Sequence, residues 1–356
     1  MNDRNLAISV RARDSYELGE PVRLTVEVEN RGNEPLRLLG WGTPFEEEFT
    51  ASFLTVKRDG ETLPYDGKLV KRGDPSGEDY LTIEPGGTAE TSVDVSAGYP
   101  IDRPGEYTVA VDANASDAFT VSEGEGEAAR SREQHEPLSL SSPTASFTVL
   151  SGEEPRPTDG ERARTEQPQA EGGQQFEEGE GEGGEGEGGA IEPNLIGGTA
   201  EQQEETRIAH QNAQSIASLA ASRLVAEEVD ALYATWFGEF DQNRYEAVTR
   251  HYEQIDGALT TRQLNYNLTG EGCKPGIFAY TYFGHDTVWL CSAYMEAPET
   301  GSDSKFGTLV HEWSHAICET QDHVYGESAC ENLAATEPEK AVTNADSHEY
   351  FAEHVQ

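Results

Sequence analysis

A low-complexity stretch rich in glycine and glutamate, residues 151–198, divides this chain of 356 residues into two parts. The stretch contains few apolar side chains, so it cannot bury enough surface to offset the conformational entropy that folding would cost. We therefore expect a disordered tether here. The chain should accordingly fold as two domains, residues 1–150 and residues 199–356.

The first domain is predicted to be all-β. Apolar and polar residues alternate in short runs, and clusters of Gly, Pro, Asn and Asp separate these runs. Short strands at this spacing are typical of an immunoglobulin-like β-sandwich. The runs are 6–10, 22–28, 52–56, 80–83, 107–111 and 146–150. A polar insertion at 122–140 is expected to form a mobile loop, and the domain offers no acid/base or metal constellation.

The charge of the chain limits its partners. The sequence has 67 acidic against 25 basic residues, a net charge of −42. Such a surface repels nucleic acid and anionic membranes and attracts basic proteins or peptides; the same acidity is compatible with a high-salt habitat. No apolar run approaches the ~20 residues that a membrane-spanning helix needs, and residues 1–6 lack the apolar core of a signal peptide.

The second domain contains a pattern that binds zinc on a helix. His311, Glu312 and His315 form the sequence H-E-x-x-H. Residues four apart lie on one helix face with β-carbons ~5–6 Å apart, so both imidazoles can reach one ion. Glu312 points beside the metal, where it can accept a proton from a bound water. The flanks predict a helix, because Asp303 and Ser304 offer an N-cap and apolar residues then recur on one face.

A catalytic zinc ion usually has a third protein ligand, and the residues alone leave its identity open. Glu327 or Glu331 could supply a glutamate from a later helix, as in the thermolysin-like pattern. Asp322 lies just past the predicted helix, where a turn can bring a short carboxylate back to the metal. An ordinary turn aspartate bonded to its own backbone explains Asp322 equally well.

Three stretches in order resemble the deuterolysin and peptidyl-Lys metalloendopeptidase family, the aspzincins. The stretches are 301–312, 320–326 and 344–353. The family pattern is H-E-x-x-H followed by G-T-x-D-x-x-Y-G, and Glu319 replaces the first glycine of the second motif. The resemblance covers roughly residues 199–356 and implies a mainly-α (α+β) zincin-type metallopeptidase domain.

The same resemblance implies a zinc-dependent endopeptidase that acts on proteins or peptides. His311, His315 and Asp322 would bind one catalytic zinc ion. Glu312 would be the general base, and Tyr325 would donate a hydrogen bond to the developing oxyanion. Zinc lowers the pKa of its water to ~7 and polarises the scissile carbonyl.

Asp346 and Glu349 are candidates for binding a substrate lysine. They are three apart on a predicted helix, so their carboxylates can share one face. In the lysine-specific members of the family, a matching pair lines the pocket for the lysine on the C-terminal side of the cut; a buried ammonium needs such paired charge. A capping box with Asp346 at the N-cap explains the same spacing. His323, His348 and His354 are not expected to be ligands.

All four cysteines lie in the second domain. Resemblance to the family implies a disulfide between Cys273 and Cys291, which flank a predicted hairpin. A second bond between Cys318 and Cys330 would pin the loop 322–325 against the histidine helix, although buried free thiols are the alternative. Local pairings of this kind indicate an oxidising compartment and a secreted protein, in conflict with the missing signal peptide.

Two interpretations remain for the whole chain. The first is an active zinc endopeptidase, and the second is a non-catalytic interaction or adhesion protein with a vestigial metal site. The joint presence of the ligands, the base and the tyrosine favours the first. The β-domain is expected to be either a pro-domain that assists folding or blocks the cleft, or a permanent binding module. No cysteine precedes Cys273, which excludes latency through a zinc-bound cysteine of residues 1–198.

Overall fold

The computed structural model describes residues 6–46, 48–121, 129–151, 191–225 and 231–355. These residues form a β-rich N-terminal part and a mainly helical C-terminal part, which agrees with the predicted fold class at this coarse level. Most of the predicted tether, residues 152–190, lies outside the described residues. No helix within the described ranges is long and apolar enough to cross a membrane.

The strands of the N-terminal part follow the alternation of apolar and polar residues. In the strand Arg23–Asn30, for example, every second side chain is buried. The strands are β1 (Leu6–Arg11), β2 (Ser15–Glu17), β3 (Arg23–Asn30), β4 (Leu36–Leu39), β5 (Leu54–Arg58), β6 (Glu61–Thr62), β7 (Leu69–Arg72), β8 (Tyr80–Ile83), β9 (Thr88–Asp94), β10 (Gly105–Ala115), β11 (Ala118–Thr120), β12 (Leu138–Ser141) and β13 (Ala145–Leu150).

Three sheets of this part enclose its core. Their strand orders are β1-β3-β9, β2-β13-β10-β5-β6 and β11-β4-β8, with β12 paired to β10. All of these pairs are antiparallel except β13 with β2. Their inward side chains, such as Val26, Val56 and Val109, form one apolar cluster.

The C-terminal part packs helices against a small sheet. Its core includes Trp313 of the central helix, which donates a hydrogen bond to the Tyr266 hydroxyl at 2.9 Å. The elements are β14 (Asn194–Ile196), α1 (Ala200–Val225), α2 (Ala231–Phe237), α3 (Gln242–Thr261), β15 (Asn265–Asn267), β16 (Ile277–Thr281), β17 (Thr287–Leu290), α4 (Ser292–Glu296), α5 (Lys305–Cys318), α6 (Glu327–Thr336), α7 (Pro338–Ala341) and α8 (Ala345–His354).

Two predicted boundaries differ from the structure. Strand β14 lies within the stretch assigned to the tether, but it pairs in parallel with β15 and so belongs to the second domain. Residues 129–140 were predicted to belong to a mobile loop. They instead form a helical turn at Arg132–Gln134 and strand β12, whose backbone pairs with β10. Residues 122–128 of the same insertion lie outside the described residues.

One strand joins the two parts. β7 comes from the N-terminal part but pairs antiparallel with β16, so the C-terminal sheet has the order β14-β15-β17-β16-β7. In this register Lys71 lies opposite Ala279, and Val70 opposite Tyr280. All four side chains of β7 are buried. The two parts therefore share one sheet, at the edge nearest α5 and α8.

Candidate active site and metal centre

The histidine pair lies on α5, which is buried along nearly its whole length. The Ser304 hydroxyl caps the helix by accepting from the Gly307 backbone N–H at 3.0 Å. Of the two predicted N-cap residues, Asp303 and Ser304, it is therefore Ser304 that caps α5. The helix ends at Glu319, whose φ of 58° is left-handed. Glycine adopts this conformation without strain, which explains why the family motif has glycine at this position.

His311, His315 and Asp322 come together at one point. Nε2 of His311 lies 3.1 Å from Nε2 of His315. Oδ1 of Asp322 lies 3.2 Å from the first nitrogen and 3.3 Å from the second. Three ligands of a tetrahedral zinc ion with bonds of ~2.0–2.1 Å lie ~3.3 Å apart. The triad therefore has the dimensions of a zinc site.

The tautomers of the two histidines suit a metal. Nδ1 of His315 donates to the Thr320 carbonyl at 2.7 Å, and Nδ1 of His311 faces Oδ1 of Asp346 at 2.8 Å. A proton on Nδ1 of His315 leaves the lone pair of its Nε2 directed at His311 and Asp322. Two imidazole nitrogens and a carboxylate, whose oxygens have no hydrogen bond within the described part of the chain, are a donor set that zinc takes. The residues present thus fit a zinc ion.

The loop after α5 positions Asp322 through Asn344. The Oδ1 atom of Asn344 accepts from the backbone N–H groups of His323 and Val324, at 2.9 and 3.1 Å. The Gln321 backbone pairs with residues on both sides of Asn344. This buried asparagine, which stands at the N-cap position of α8, therefore holds the loop against the helix. No sequence pattern indicated this role of Asn344.

Glu312 lies beside the triad and is fully buried. Burial raises the pKa of its carboxyl to about 8, against the lowering effect of His311 and Lys71. The backbone N–H of Lys71 is close enough to lower that pKa, although neither Glu312 oxygen has a hydrogen bond of full geometry within the described part of the chain. Glu312 is thus a buried carboxyl group that lies near the Lys71 peptide N–H without a full hydrogen bond to it.

Tyr325 contacts the same segment of backbone, Val70–Lys71, at its carbonyl. Its hydroxyl donates to the carbonyl oxygen of Val70 at 2.9 Å. Burial raises the pKa of the phenol well above its usual range, so the hydroxyl stays a donor. The Val70–Lys71 peptide bond therefore has its carbonyl at Tyr325 and its N–H at Glu312.

Asp346 and Glu349 form an acidic pocket on α8, and both are fully buried. The pocket holds the ammonium of Lys71, whose Nζ lies 2.6 Å from Oε2 of Glu349 and 3.6 Å from Oδ1 of Asp346. Asp303 contributes a third carboxylate at 2.9 Å. The capping-box alternative is wrong, because α8 begins after Asn344 and Glu349 binds the ammonium instead of the helix end.

Relatives of known type match nearly the whole chain. The extracellular protease of Aeromonas hydrophila is 31% identical over 339 residues, which cover 94% of this chain and 88% of that protein. Residues 224–353 match the family described as lysine-specific metallo-endopeptidase, the aspzincins. The chain belongs to this family. It is therefore a zinc-dependent metalloendopeptidase, and the non-catalytic alternative is set aside.

Two matches to proteins of Grifola frondosa cover less than half of this chain. The peptidyl-Lys metalloendopeptidase of Grifola frondosa is 41% identical over 157 residues, which cover 40% of this chain and 44% of that protein. A solved zinc peptidase from Grifola frondosa has 37% identity and a TM-score of 0.41, and the match covers 44% of this chain and 96% of that one.

The alternative ligands lie away from the metallopeptidase triad. Glu327 and Glu331 are on α6 and belong to neither of the two clusters of potential ligands among the described residues. The second cluster consists of His311, Asp346 and Glu349. The Lys71 ammonium binds this cluster, and it shares a histidine with the triad, so it is part of the pocket rather than a separate metal site.

Of the two predicted disulfides, one is present in the structure. Cys273 and Cys291 form a disulfide with Cα atoms 5.5 Å apart. The predicted bond between Cys318 and Cys330 is wrong, because both are free thiols. The Cys318 thiol faces the carbonyl of His251, whereas the Cys330 thiol accepts from the Asn344 side chain at 3.3 Å. The two side chains are therefore directed at different neighbours.

Proposed function

We propose that this metalloendopeptidase cuts peptide bonds on the N-terminal side of lysine. The observation that carries the proposal is a lysine ammonium bound by Asp346 and Glu349, directly beside the zinc triad. The relatives named peptidyl-Lys metalloendopeptidases support the same preference. A pocket with buried carboxylates favours an ammonium over any neutral side chain, because unpaired buried charge is costly.

We assign one zinc ion to His311, His315 and Asp322. When bound there, zinc would supply an activated water and polarise the scissile carbonyl. Glu312 then accepts the proton of the attacking water and returns it to the leaving amine, which its contact with the Lys71 N–H supports. Tyr325 donates to the oxygen of the cut carbonyl; a donor of this type contributes ~2.7–4 kcal/mol to transition-state stabilisation.

Three further assignments complete the proposal. The β-rich N-terminal part is an immunoglobulin-like sandwich, because most of its strands pair antiparallel around one apolar core. The protein acts outside the cell, as the disulfide and the relative named extracellular protease suggest. Basic proteins or peptides are the favoured substrates, because the net charge of −42 attracts them.

The test is to digest a protein substrate with the zinc-loaded enzyme and to sequence the fragment ends. We expect new N-termini at lysine, and Glu312→Gln should lower the rate ~10²–10⁴-fold while zinc stays bound. Double substitution Asp346→Asn and Glu349→Gln should abolish the lysine preference. Cuts without regard to lysine in the unaltered enzyme would refute the preference, and full activity of Glu312→Gln would refute the role of the base.

A further inference from the structure

We infer that the N-terminal domain inhibits the peptidase by holding strand β7 in the substrate cleft, with Lys71 in the place of a substrate lysine. This inference rests on the proposed lysine preference and adds a regulator to the same site. Four observations support it: the contacts of the Lys71 side chain, the direction of the strand, the burial of the catalytic groups and the contacts that surround the cleft.

Lys71 is bound as a substrate lysine would be. Its ammonium is fully buried against three carboxylates, those of Asp303, Asp346 and Glu349. Burial alone would lower the pKa of the Lys71 ammonium, but these charges outweigh burial and hold that pKa well above its usual value. The charge is therefore retained. The Lys71 side chain thus occupies the place that is proposed for a substrate lysine.

The backbone of β7 lies in the register of a substrate. β7 pairs antiparallel with β16 at the edge of the C-terminal sheet. An extended peptide can bind to such an edge as an additional strand, through main-chain hydrogen bonds. The carbonyl of Val70 accepts from Tyr325, and the N–H of Lys71 faces Glu312. The bond that precedes the bound lysine is thus the bond presented to the catalytic groups, as the proposed selectivity requires.

The catalytic groups are closed to solvent while β7 is in place. His311, Glu312 and His315 are 0% exposed, and the Asp322 side chain is 1% exposed. A second peptide could not reach Glu312 without displacing the strand. Occupation of the cleft by β7 therefore excludes external substrates.

Contacts on both sides of the cleft fix the strand in place. The guanidinium of Arg132 donates to Asp303 at 3.1 Å, which ties the N-terminal domain to the rim of the lysine pocket. In the loop after α5, the His323 carbonyl accepts from the Asn114 side chain at 3.0 Å. Glu133 accepts from the Ser328 backbone N–H at 3.2 Å. These contacts come from two segments of the N-terminal domain besides β7, so the domain is docked and not merely tethered.

The sequence also bears on how inhibition ends. The lysines are Lys57, Lys68, Lys71, Lys274, Lys305 and Lys340. None lies between Lys71 and Lys274, so a lysine-directed peptidase cannot cut the segment that joins the domains. Removal of the N-terminal domain at that segment therefore requires a peptidase of another selectivity.

The decisive experiment compares Lys71→Met with Lys57→Met in the full-length, zinc-loaded chain. Lys57 is an exposed lysine of β5 in the same domain. Hydrolysis of an added lysine-containing peptide should be at least tenfold faster for Lys71→Met than for the unaltered chain, and unchanged for Lys57→Met. A residue that only supported the fold would lower activity when replaced, so a gain identifies inhibition. Equal activity of the unaltered chain and Lys71→Met would overturn the inference.

A second measurement does not depend on activity or on the folding of a Lys71 variant. Amine acetylation of the Glu312→Gln chain, read by mass spectrometry, should modify Lys57 at least tenfold faster than Lys71. Equal rates would overturn the inference. Failure of every variant to hydrolyse peptides would count against the proposed function alone, because the labelling result still reports whether Lys71 occupies the pocket.

Slow self-cleavage would also support the inference. Hydrolysis of the Val70–Lys71 bond breaks its C–N bond, places the hydroxyl of water on the Val70 carbonyl carbon and a proton on the Lys71 nitrogen. The product would have Lys71 at a new N-terminus, and only a strand bound in substrate register would be cut there. Self-cleavage elsewhere in residues 6–121, with the Val70–Lys71 bond intact, would contradict that register.

Discussion

His311 contacts two aspartates through opposite ring nitrogens: its Nε2 lies 3.2 Å from Oδ1 of Asp322, while its Nδ1 lies 2.8 Å from Oδ1 of Asp346. Oε2 of Glu349 lies 3.2 Å from the same Nδ1. The pair that is proposed to bind a substrate lysine thus also contacts a proposed metal ligand. Partners of this kind fix the tautomer of the histidine and raise its basicity.

Asp346→Asn should therefore weaken zinc binding as well as lysine selectivity. Loss of the partner of a metal-bound histidine typically costs 10–100-fold in metal affinity. Competition with a chelator of known affinity would measure this, and the exposed Asp286→Asn serves as control. Unchanged zinc affinity in Asp346→Asn would show that the contact does not orient His311.

Zinc should stabilise the folded chain through Asp322. A ligand that binds only the native state stabilises it by ~2.7 kcal/mol at 100 times its dissociation constant. We expect zinc to raise the melting temperature of the unaltered chain and of Glu331→Gln, the alternative ligand on α6. Asp322→Ala should show little zinc-dependent shift in calorimetry. A full shift in Asp322→Ala would remove this aspartate from the ligand set.

The two cysteine pairs should respond differently to replacement. Removal of the Cys273–Cys291 bond by double substitution to alanine should lower the free energy of unfolding by ~3 kcal/mol, because the bond closes a loop of about 18 residues. Cys318→Ala removes a thiol without opening a bond and should cost less. Denaturant unfolding measures both effects. Alkylation of the unfolded, unreduced chain should modify two thiols, those of Cys318 and Cys330. If no thiol were modified, the predicted Cys318–Cys330 disulfide would be present after all.

Acidification should destabilise the peptidase domain through a pair of histidines. Nδ1 of His251 lies 3.2 Å from Nε2 of His348. Burial, with the charge of Arg250, lowers the pKa of His251 to about 4, and burial, with the charge of His251, lowers that of His348 to about 3. Both are near 6.5 in the unfolded chain.

The unfolded chain therefore binds more protons between pH 6.5 and about 4, so stability is retained above pH 6.5 and lost as the pH falls through this window. His251→Gln should remove part of the loss, at most ~3 kcal/mol. Denaturant melts across this pH range measure the slope, with the exposed His285→Gln as control. An unchanged slope in His251→Gln would mean that other groups cause the acid sensitivity.

Local patterns were readable from the sequence, whereas pairings across the chain were not. The spacing of His311 and His315 and the cap at Ser304 predicted α5, because a helix depends on near neighbours. From residue spacing alone, Asp322 was as easily explained by an ordinary turn as by a metal ligand. The family resemblance favoured the metal ligand, and in the structure Asp322 contacts both His311 and His315. Its role there remains a proposal.

The position of Lys71 in the acidic pocket could not be predicted from the sequence, for a physical reason. Its strand, Leu69–Arg72, has two apolar followed by two basic residues and no alternation, so it does not resemble a strand with one buried face. Its partners Asp303 and Glu349 lie more than 200 residues away along the chain. The lost disulfide has a similar cause, because the spacing of Cys318 and Cys330 does not determine where their β-carbons point.

The pairing of β7 with β16 has a consequence for what the enzyme can digest. This pairing uses main-chain donors and acceptors, which every amino acid except proline provides in the same way. A polypeptide that takes the place of β7 would therefore form these bonds whatever its sequence. Its side chains would meet the lysine pocket and, at the position of Val70, the apolar cluster of Ile277, Tyr280 and Cys291. The main chain alone thus supplies the part of the binding that many different proteins could share.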